Sequence, residues 1–174
     1  MKPRVCMVGK ICVNDWRHSL VSNLRGHLWA DGDIETNDFI YVGPYFVSCD
    51  PGCFRGEGSH GTNGECWGGT AADFSKQEVF QNSNKRSHSA DLVFAYITGM
   101  DCCGALVDIG CASERGIRII IAYAPGVEVD GFTYVSKLAD VVYNDISADG
   151  LKEILDVHVQ ISKIIAFCDG RLAV

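Results

Sequence analysis

The order of apolar and polar positions along the chain predicts an α/β protein. Short apolar runs predict strands at 5–8, 39–47, 92–97, 117–123 and 141–143. Apolar residues at helical spacing predict helices at 15–28, 71–84, 105–112, 135–138 and 151–165. Strands that alternate with helices favour one flavodoxin-like, doubly wound domain over residues 1–174. We expect about five mainly parallel strands with helices on both faces.

The segment 91–124 is the clearest part of this pattern. A buried strand, a loop rich in Gly, Asp and Cys, a helix and a second buried strand follow one another. Such a βαβ unit requires a parallel sheet and a right-handed crossover. Ligands of doubly wound sheets bind beyond the carboxyl ends of the strands, where this unit places Asp101, Gly104 and Asp108.

The motif in this segment resembles the nucleoside 2-deoxyribosyltransferase family. Asp101 is followed by Gly104-Ala105, then by DIGCA from Asp108, and Gly116 precedes the next strand. The family carries Glu-Leu-Gly-Tyr-Ala at the start of this helix, and its Glu attacks the anomeric carbon of the sugar. The resemblance implies that Asp108, one methylene shorter, is the nucleophile and that Asp101 holds the base or assists its departure. It also implies cleavage or transfer at the N-glycosidic bond of a (2-deoxy)nucleoside.

The residues fit this chemistry on physical grounds as well. A carboxylate opposite the leaving base can trap the oxocarbenium-like sugar covalently. Placed early in a helix, Asp108 would be kept ionised by the helix dipole. The structural alternative for Asp108 is an ordinary acidic residue in the first turn of a helix.

The loop after the first strand supplies further candidates. In the resembling family this loop contacts the nucleoside, so Gly9, Lys10 and Asp15 are predicted to bind substrate. The alternative is that Lys10 is a solvated loop charge and that Asp15 complements the helix dipole.

A glycine- and cysteine-rich insertion occupies residues 48–70. A loop of this length in a small domain is often functional, and we interpret it as a lid that contributes Arg55 or His60 to the substrate site. A zinc site made by Cys49, Cys53, His60 and Cys66 is the alternative, but the spacing matches structural zinc patterns only loosely. We therefore predict no metal and no cofactor.

Two other functions remain open. Relatives that hydrolyse nucleoside 5′-monophosphates carry serine where this chain has 100–103, although Lys10, Arg17, Ser87 or Ser89 could still hold a phosphate. The second alternative is a non-catalytic nucleotide-binding module on the same fold.

Composition sets the remaining expectations. The net charge of −7 and the absence of a basic stripe argue against a nucleic-acid polymer as partner. Nine cysteines without a signal peptide indicate reduced thiols and a cytoplasmic protein, and no apolar run is long enough to span a membrane. The family resemblance implies a homo-oligomer.

Overall fold

The computed structural model describes residues 1–11, 15–24, 32–44 and 76–169. The predicted lid at 48–70, with Arg55 and His60, lies outside the described residues. So do the cysteines of the zinc alternative and the predicted helix start at 71–75.

A mostly parallel sheet forms the centre of the molecule. Its strands among the described residues are β1 (Arg4–Gly9), β2 (Ile34–Glu35), β3 (Ile40–Gly43), β4 (Leu92–Ile97), β5 (Arg118–Tyr123) and β6 (Val141–Tyr143). They lie in the order β2-β3-β1-β4-β5-β6, and only β2 is antiparallel to its neighbour. The predicted α/β, doubly wound class is confirmed. The sheet has one strand more than expected, because a two-residue strand leaves no pattern in the sequence.

Helices cover both faces of this sheet. They are α1 (Arg17–Leu20), α2 (Lys76–Ser87), α3 (Cys103–Glu114), α4 (Thr133–Ser136) and α5 (Leu151–Cys168). One apolar cluster joins α1 and α5 to one face of the sheet, and a second joins α3 and α4 to the other. Helix α2 contacts β3 and α3, so it belongs to the second face. None of the described helices is long and apolar enough to cross a membrane.

The apolar pattern located buried positions better than it located helices. The prediction of a helix from Asp15 is wrong at 21–24, because Val21 has an extended backbone with φ −127° and ψ 96° and α1 ends at Leu20. Val21 and Leu24 are nevertheless fully buried. In α2, Phe80 belongs to the apolar pattern that predicts the helix at 71–84 but is 59% exposed, because the helix is otherwise largely polar and has little apolar surface to bury.

The strand order defines where a ligand can bind. From β1 the chain crosses to β3 on one side and then returns to β4 on the other side of β1. The loops after β1 and β4 therefore diverge to opposite faces of the sheet and leave a crevice at its carboxyl edge. Gly9 and Tyr96 are paired across these two strands, directly below the crevice.

Candidate active site

Two predicted site residues meet across this crevice. Lys10 follows β1 and Asp101 follows β4, and the Lys10 Nζ atom donates a hydrogen bond to Asp101 Oδ2. The hydrogen bond from Lys10 holds the pKa of Asp101 below its usual value. Asp101 is therefore ionised at neutral pH, and it can accept hydrogen bonds from a ligand but has no proton to donate.

Gly9 is required by the sheet itself. A Cβ atom at this position would lie 2.4 Å from the backbone oxygen of Tyr96, and the residue has φ +154°. Only glycine allows the two strands to approach so closely at the crevice. This steric role accounts for Gly9 without a ligand, so its predicted contact with substrate stays a prediction.

Asp15 is buried at the start of α1. It lies before α1 and is 2% exposed, and its carboxylate faces inward. Both of its oxygens accept hydrogen bonds from Arg17 Nη1, at 2.9 and 2.8 Å. Arg17 is fully buried, so the two residues form an ion pair inside the protein rather than an open contact for substrate. Asp15 Oδ1 also accepts a hydrogen bond from the backbone N–H of Arg17 at 3.0 Å, which places the carboxylate at the start of α1, as the dipole alternative expects.

Arg17 also binds the end of β1. Its Nε atom donates to the backbone oxygen of Met7 at 2.9 Å, and its Nη2 atom donates to that of Gly9 at 3.0 Å. The sequence indicated Arg17 only as one of several phosphate donors. Its spacing from Asp15 gave no sign of this pair, because residues two apart on a helix do not face each other. The pair forms because Asp15 precedes the helix.

Asp108 lies in the second turn of α3. The helix begins two residues earlier than predicted, at Cys103, so the expected help from the helix dipole is weak at this depth. Asp108 is on the same side of the helix as Ala105 and Ala112, which are buried against the sheet. It is half-buried there, beside two small side chains that leave room around the carboxylate.

The electrostatic state of Asp108 follows from this position. Burial raises its pKa from 3.8 to about 6, and the positive charge of Arg17 limits the increase. The carboxylate makes no hydrogen bond or ion pair with any of the residues that the structure describes. In turn its charge contributes, after burial, to the raised pKa of the Cys6 thiol on β1, the strand that α3 contacts.

The start of α3 lies open beside the crevice. Gly104 is exposed, and an added Cβ atom would meet no atom of the described part of the chain within 4 Å. Cys103 is exposed, whereas Cys102 is buried and its pKa is raised by burial. Among the described residues, no side chain or backbone atom covers Gly104 at the start of α3.

The other predicted phosphate donors do not come together. Arg17 is buried in its ion pair, and Ser87 and Ser89 lie between the end of α2 and the start of β4, at the opposite edge of the sheet. Ser87 and Ser89 each donate a hydrogen bond to a backbone oxygen of α2, at Asn84 and Arg86. Of the four, only Lys10 lies at the crevice.

Fold and crevice define the chain as a doubly wound α/β protein with two carboxylates at the switch point of its sheet. No known family model matches the chain, and no curated protein matches it either. The similarity of segment 101–116 to the deoxyribosyltransferases therefore stays a prediction.

The loop and the helix that follow β4 carry two carboxylates in different environments. Asp101 is exposed and forms an ion pair with Lys10, whereas Asp108 is half-buried and has a pKa of about 6. Environments that separate the pKa values of two carboxylates are typical of sites in which the two groups have different roles. Such a pair can attack an electrophilic carbon with one group and hold a polar fragment with the other.

Proposed function

We propose that the protein cleaves or transfers the N-glycosidic bond of a (2-deoxy)nucleoside, with Asp108 as the nucleophile. The observation that carries this proposal is the carboxylate of Asp108, which is half-buried beside the crevice and makes no hydrogen bond within the described residues. A polar group without a partner is costly in a partly buried position, so a functional reason for it is favoured. The motif around Asp108 supports the same assignment.

The reaction would have two steps. In the first, an oxygen of Asp108 forms a bond to the anomeric carbon while the carbon–nitrogen bond breaks and its electrons leave with the base. In the second, water or another base attacks the same carbon and releases the carboxylate. With a pKa of about 6, Asp108 is roughly nine-tenths ionised at pH 7 and ready to attack.

Asp101 and Lys10 would bind the leaving base. Asp101 is kept ionised by Lys10, so it accepts hydrogen bonds from amino or ring N–H groups of the base rather than donating a proton. Lys10 is the member of the pair that carries protons and can donate a hydrogen bond to the departing base. The proton that the base finally needs comes from Lys10 or from water.

The monophosphate alternative has little support at the crevice. Arg17, Ser87 and Ser89 are buried or lie at the opposite edge of the sheet, which leaves Lys10 alone among the residues expected to hold a phosphate. A nucleoside without a 5′-phosphate is therefore the substrate that these residues favour.

The test is chromatography of the protein incubated with deoxynucleosides, ribonucleosides and their monophosphates, with and without a second free base. We expect free base from a deoxynucleoside, or a new nucleoside when a second base is present. Asp108→Asn should lower the rate by roughly 1,000-fold or more, because the nucleophile is lost. Glu114→Gln is the matched control, since Glu114 is an exposed acid at the far end of the same helix.

Two results would count against the proposal. Turnover that survives in Asp108→Asn would remove Asp108 from the chemistry. Silence across the whole panel, together with calorimetric binding of a nucleoside, would instead identify a non-catalytic binding module on this fold.

A further inference from the structure

Arg17 is unusual because a full positive charge is completely enclosed at the carboxyl end of the sheet. Its side chain has no exposed surface, and its guanidinium binds the carboxylate of Asp15 and the backbone oxygens of Met7 and Gly9. The guanidinium also lies over the ring of Trp16, with 4.5 Å from Arg17 Cζ to the ring centroid. Every side of this charge is in contact with protein.

Stability alone gives a poor account of this arrangement. Enclosing two opposite charges costs desolvation that largely offsets their attraction, and apolar residues of similar size often replace such pairs without loss. The neighbouring Trp16 is already anchored by its apolar surface, with its ring edge against Phe94 and Tyr96 at centroid distances of 6.2 and 5.5 Å. What the guanidinium adds is a rigid set of donors aimed at two backbone oxygens of β1.

Those two oxygens shape the path of the chain into the crevice. Gly9 ends β1 and is pressed against Tyr96, and Lys10 follows it and reaches Asp101. A hydrogen bond from Arg17 to the Gly9 oxygen fixes the orientation of the peptide that leads to Lys10.

We propose that Arg17 is a positioning residue of the candidate active site, which holds the carboxyl end of β1 so that Lys10 and Asp101 meet across the crevice. This inference rests on the proposed function for its catalytic meaning. Its geometric content, the dependence of the Lys10–Asp101 pair on Arg17, can be tested without any substrate.

The charge of Arg17 has a second effect, on Asp108. Burial raises the pKa of Asp108, and Arg17 is the charge that lowers it again. The Cys6 thiol on β1 adds no charge near Asp108, because burial raises the pKa of this thiol and keeps it neutral. Arg17 thus favours the ionised form of Asp108 through space, while Asp15 compensates part of its charge.

Two variants separate the geometric effect from the electrostatic one. Arg17→Lys keeps a positive charge beside Asp15 but cannot reach both backbone oxygens of β1 with a planar fork. The double variant Asp15→Asn, Arg17→Gln removes both charges and leaves no buried charge without a partner. Arg86→Lys is the matched control, because Arg86 is a partly buried arginine paired with Asp33, far from the crevice along the sheet.

The first measurement is an NMR titration of ¹³C-labelled aspartate carboxyl groups, assigned with Asp101→Asn and Asp108→Asn. In Arg17→Lys we expect the lowered pKa of Asp101 to return upward towards its ordinary value, since Lys10 is displaced. In the double variant we expect the pKa of Asp108 to rise by about half a unit or more. If both variants fold and the pKa values of Asp101 and Asp108 are unchanged in both of them, the proposal is overturned.

The second measurement is turnover, which applies if the wild-type protein cleaves a nucleoside. Arg17→Lys should raise KM about tenfold with a smaller change in kcat, because the residues that hold the base are misplaced. Arg86→Lys should leave both constants unchanged. Should the wild type show no turnover, the proposed function fails, whereas the carboxylate titrations still decide the role of Arg17.

Discussion

At the scale of single residues, Asp108 combines a half-buried carboxylate with an environment that opposes its charge. Its pKa of about 6 places the change of charge inside the range in which an enzyme can be assayed. Since the nucleophile must be ionised, kcat/KM for base release should rise about tenfold per pH unit below pH 6 and level off near pH 7. A pH profile of kcat/KM measures this limb directly.

The control for this profile is Asp101→Asn. The pKa of Asp101 is lowered by Lys10, so it titrates well below the limb and its removal should leave the limb in place. We expect Asp101→Asn to lower kcat/KM by roughly 10- to 100-fold at every pH, the value of a hydrogen bond to a charged group. If the acidic limb of the wild-type kcat/KM profile has its midpoint below pH 5, the raised pKa of Asp108 is contradicted.

The ionised carboxylate of Asp108 should also lower the stability of the folded protein. A pKa raised from 3.8 to about 6 means that ionised Asp108 destabilises the fold by about 3 kcal/mol at pH 7. Asp108→Asn has the same shape without the charge, so we expect its free energy of unfolding in urea to increase by roughly 1–3 kcal/mol. Glu114→Gln should change it by less than about 0.5 kcal/mol, as for other exposed positions. A less stable Asp108→Asn would mean that the carboxylate is held by bonds in the fold.

At the scale of elements, the sequence predicted those parts of the sheet that are buried on both faces. β4 and β5 are almost entirely buried and were predicted to within one residue of their ends, because a short, continuous apolar run bounded by polar and turn-forming residues is typical of a buried strand. The pattern failed where contacts between distant residues decide the backbone. α1 stops after four residues, with Arg17 turned inward to β1, and no local spacing encodes that choice.

The sequence likewise predicted only part of the candidate site. Asp101, Gly104 and Asp108 were placed at the crevice by the βαβ pattern alone, and the structure brings Lys10 to Asp101. The burial of Asp15 and Arg17 was not predictable, because both are charged residues that a sequence places at the surface. The pKa of Asp108 likewise depends on packing across α3 and β1.

Helix α5 carries a buried histidine that should make the fold sensitive to acid. His158 accepts a hydrogen bond at Nδ1 from Arg118 Nη2 at 2.7 Å, and its Nε2 atom lies 2.9 Å from the hydroxyl of Tyr143. Since arginine only donates, Nδ1 carries no proton and His158 is neutral. Burial and then Arg118 lower the pKa of His158 below its ordinary 6.5, although Asp140 acts in the opposite direction.

Below about pH 6.5 the unfolded chain therefore binds a proton at His158 that the folded protein does not bind. This contribution lowers the free energy of unfolding as the pH falls, by at most about 1.4 kcal/mol per pH unit. Asp108 acts in the opposite sense between about pH 6 and pH 4, so the two must be separated by mutation. His158→Gln can still accept from Arg118 and donate to Tyr143, and we expect it to gain stability relative to the wild type from pH 7 to pH 5. If the free energies of unfolding of the wild type and of His158→Gln, measured in urea, change in parallel over this pH range, the effect is excluded.

At the scale of the whole molecule, two exposed cysteines of the described part of the chain lie at opposite edges of the sheet. Cys103 begins α3 beside the crevice, whereas Cys168 ends α5, which runs from the carboxyl edge of the sheet to the other edge. Cys6 is buried and its pKa is raised by burial, so it should react slowly with alkylating reagents. Among the residues that the structure describes, Cys103 is therefore an accessible probe at the proposed site and Cys168 is a reference thiol far from it.

This arrangement allows the ligand to be located by alkylation followed by mass spectrometry of peptides. If a nucleoside binds between α3 and the crevice, saturating deoxynucleoside should slow the alkylation of Cys103 several-fold and leave Cys168 unchanged, because only Cys103 lies beside the ligand. Using Asp108→Asn keeps the nucleoside intact during labelling, since the reaction that would consume it needs the ionised carboxylate. Protection of Cys168 instead would place the ligand at the opposite edge of the sheet. Equal rates with and without nucleoside, at a concentration that calorimetry shows to be saturating, would remove the start of α3 from the binding site.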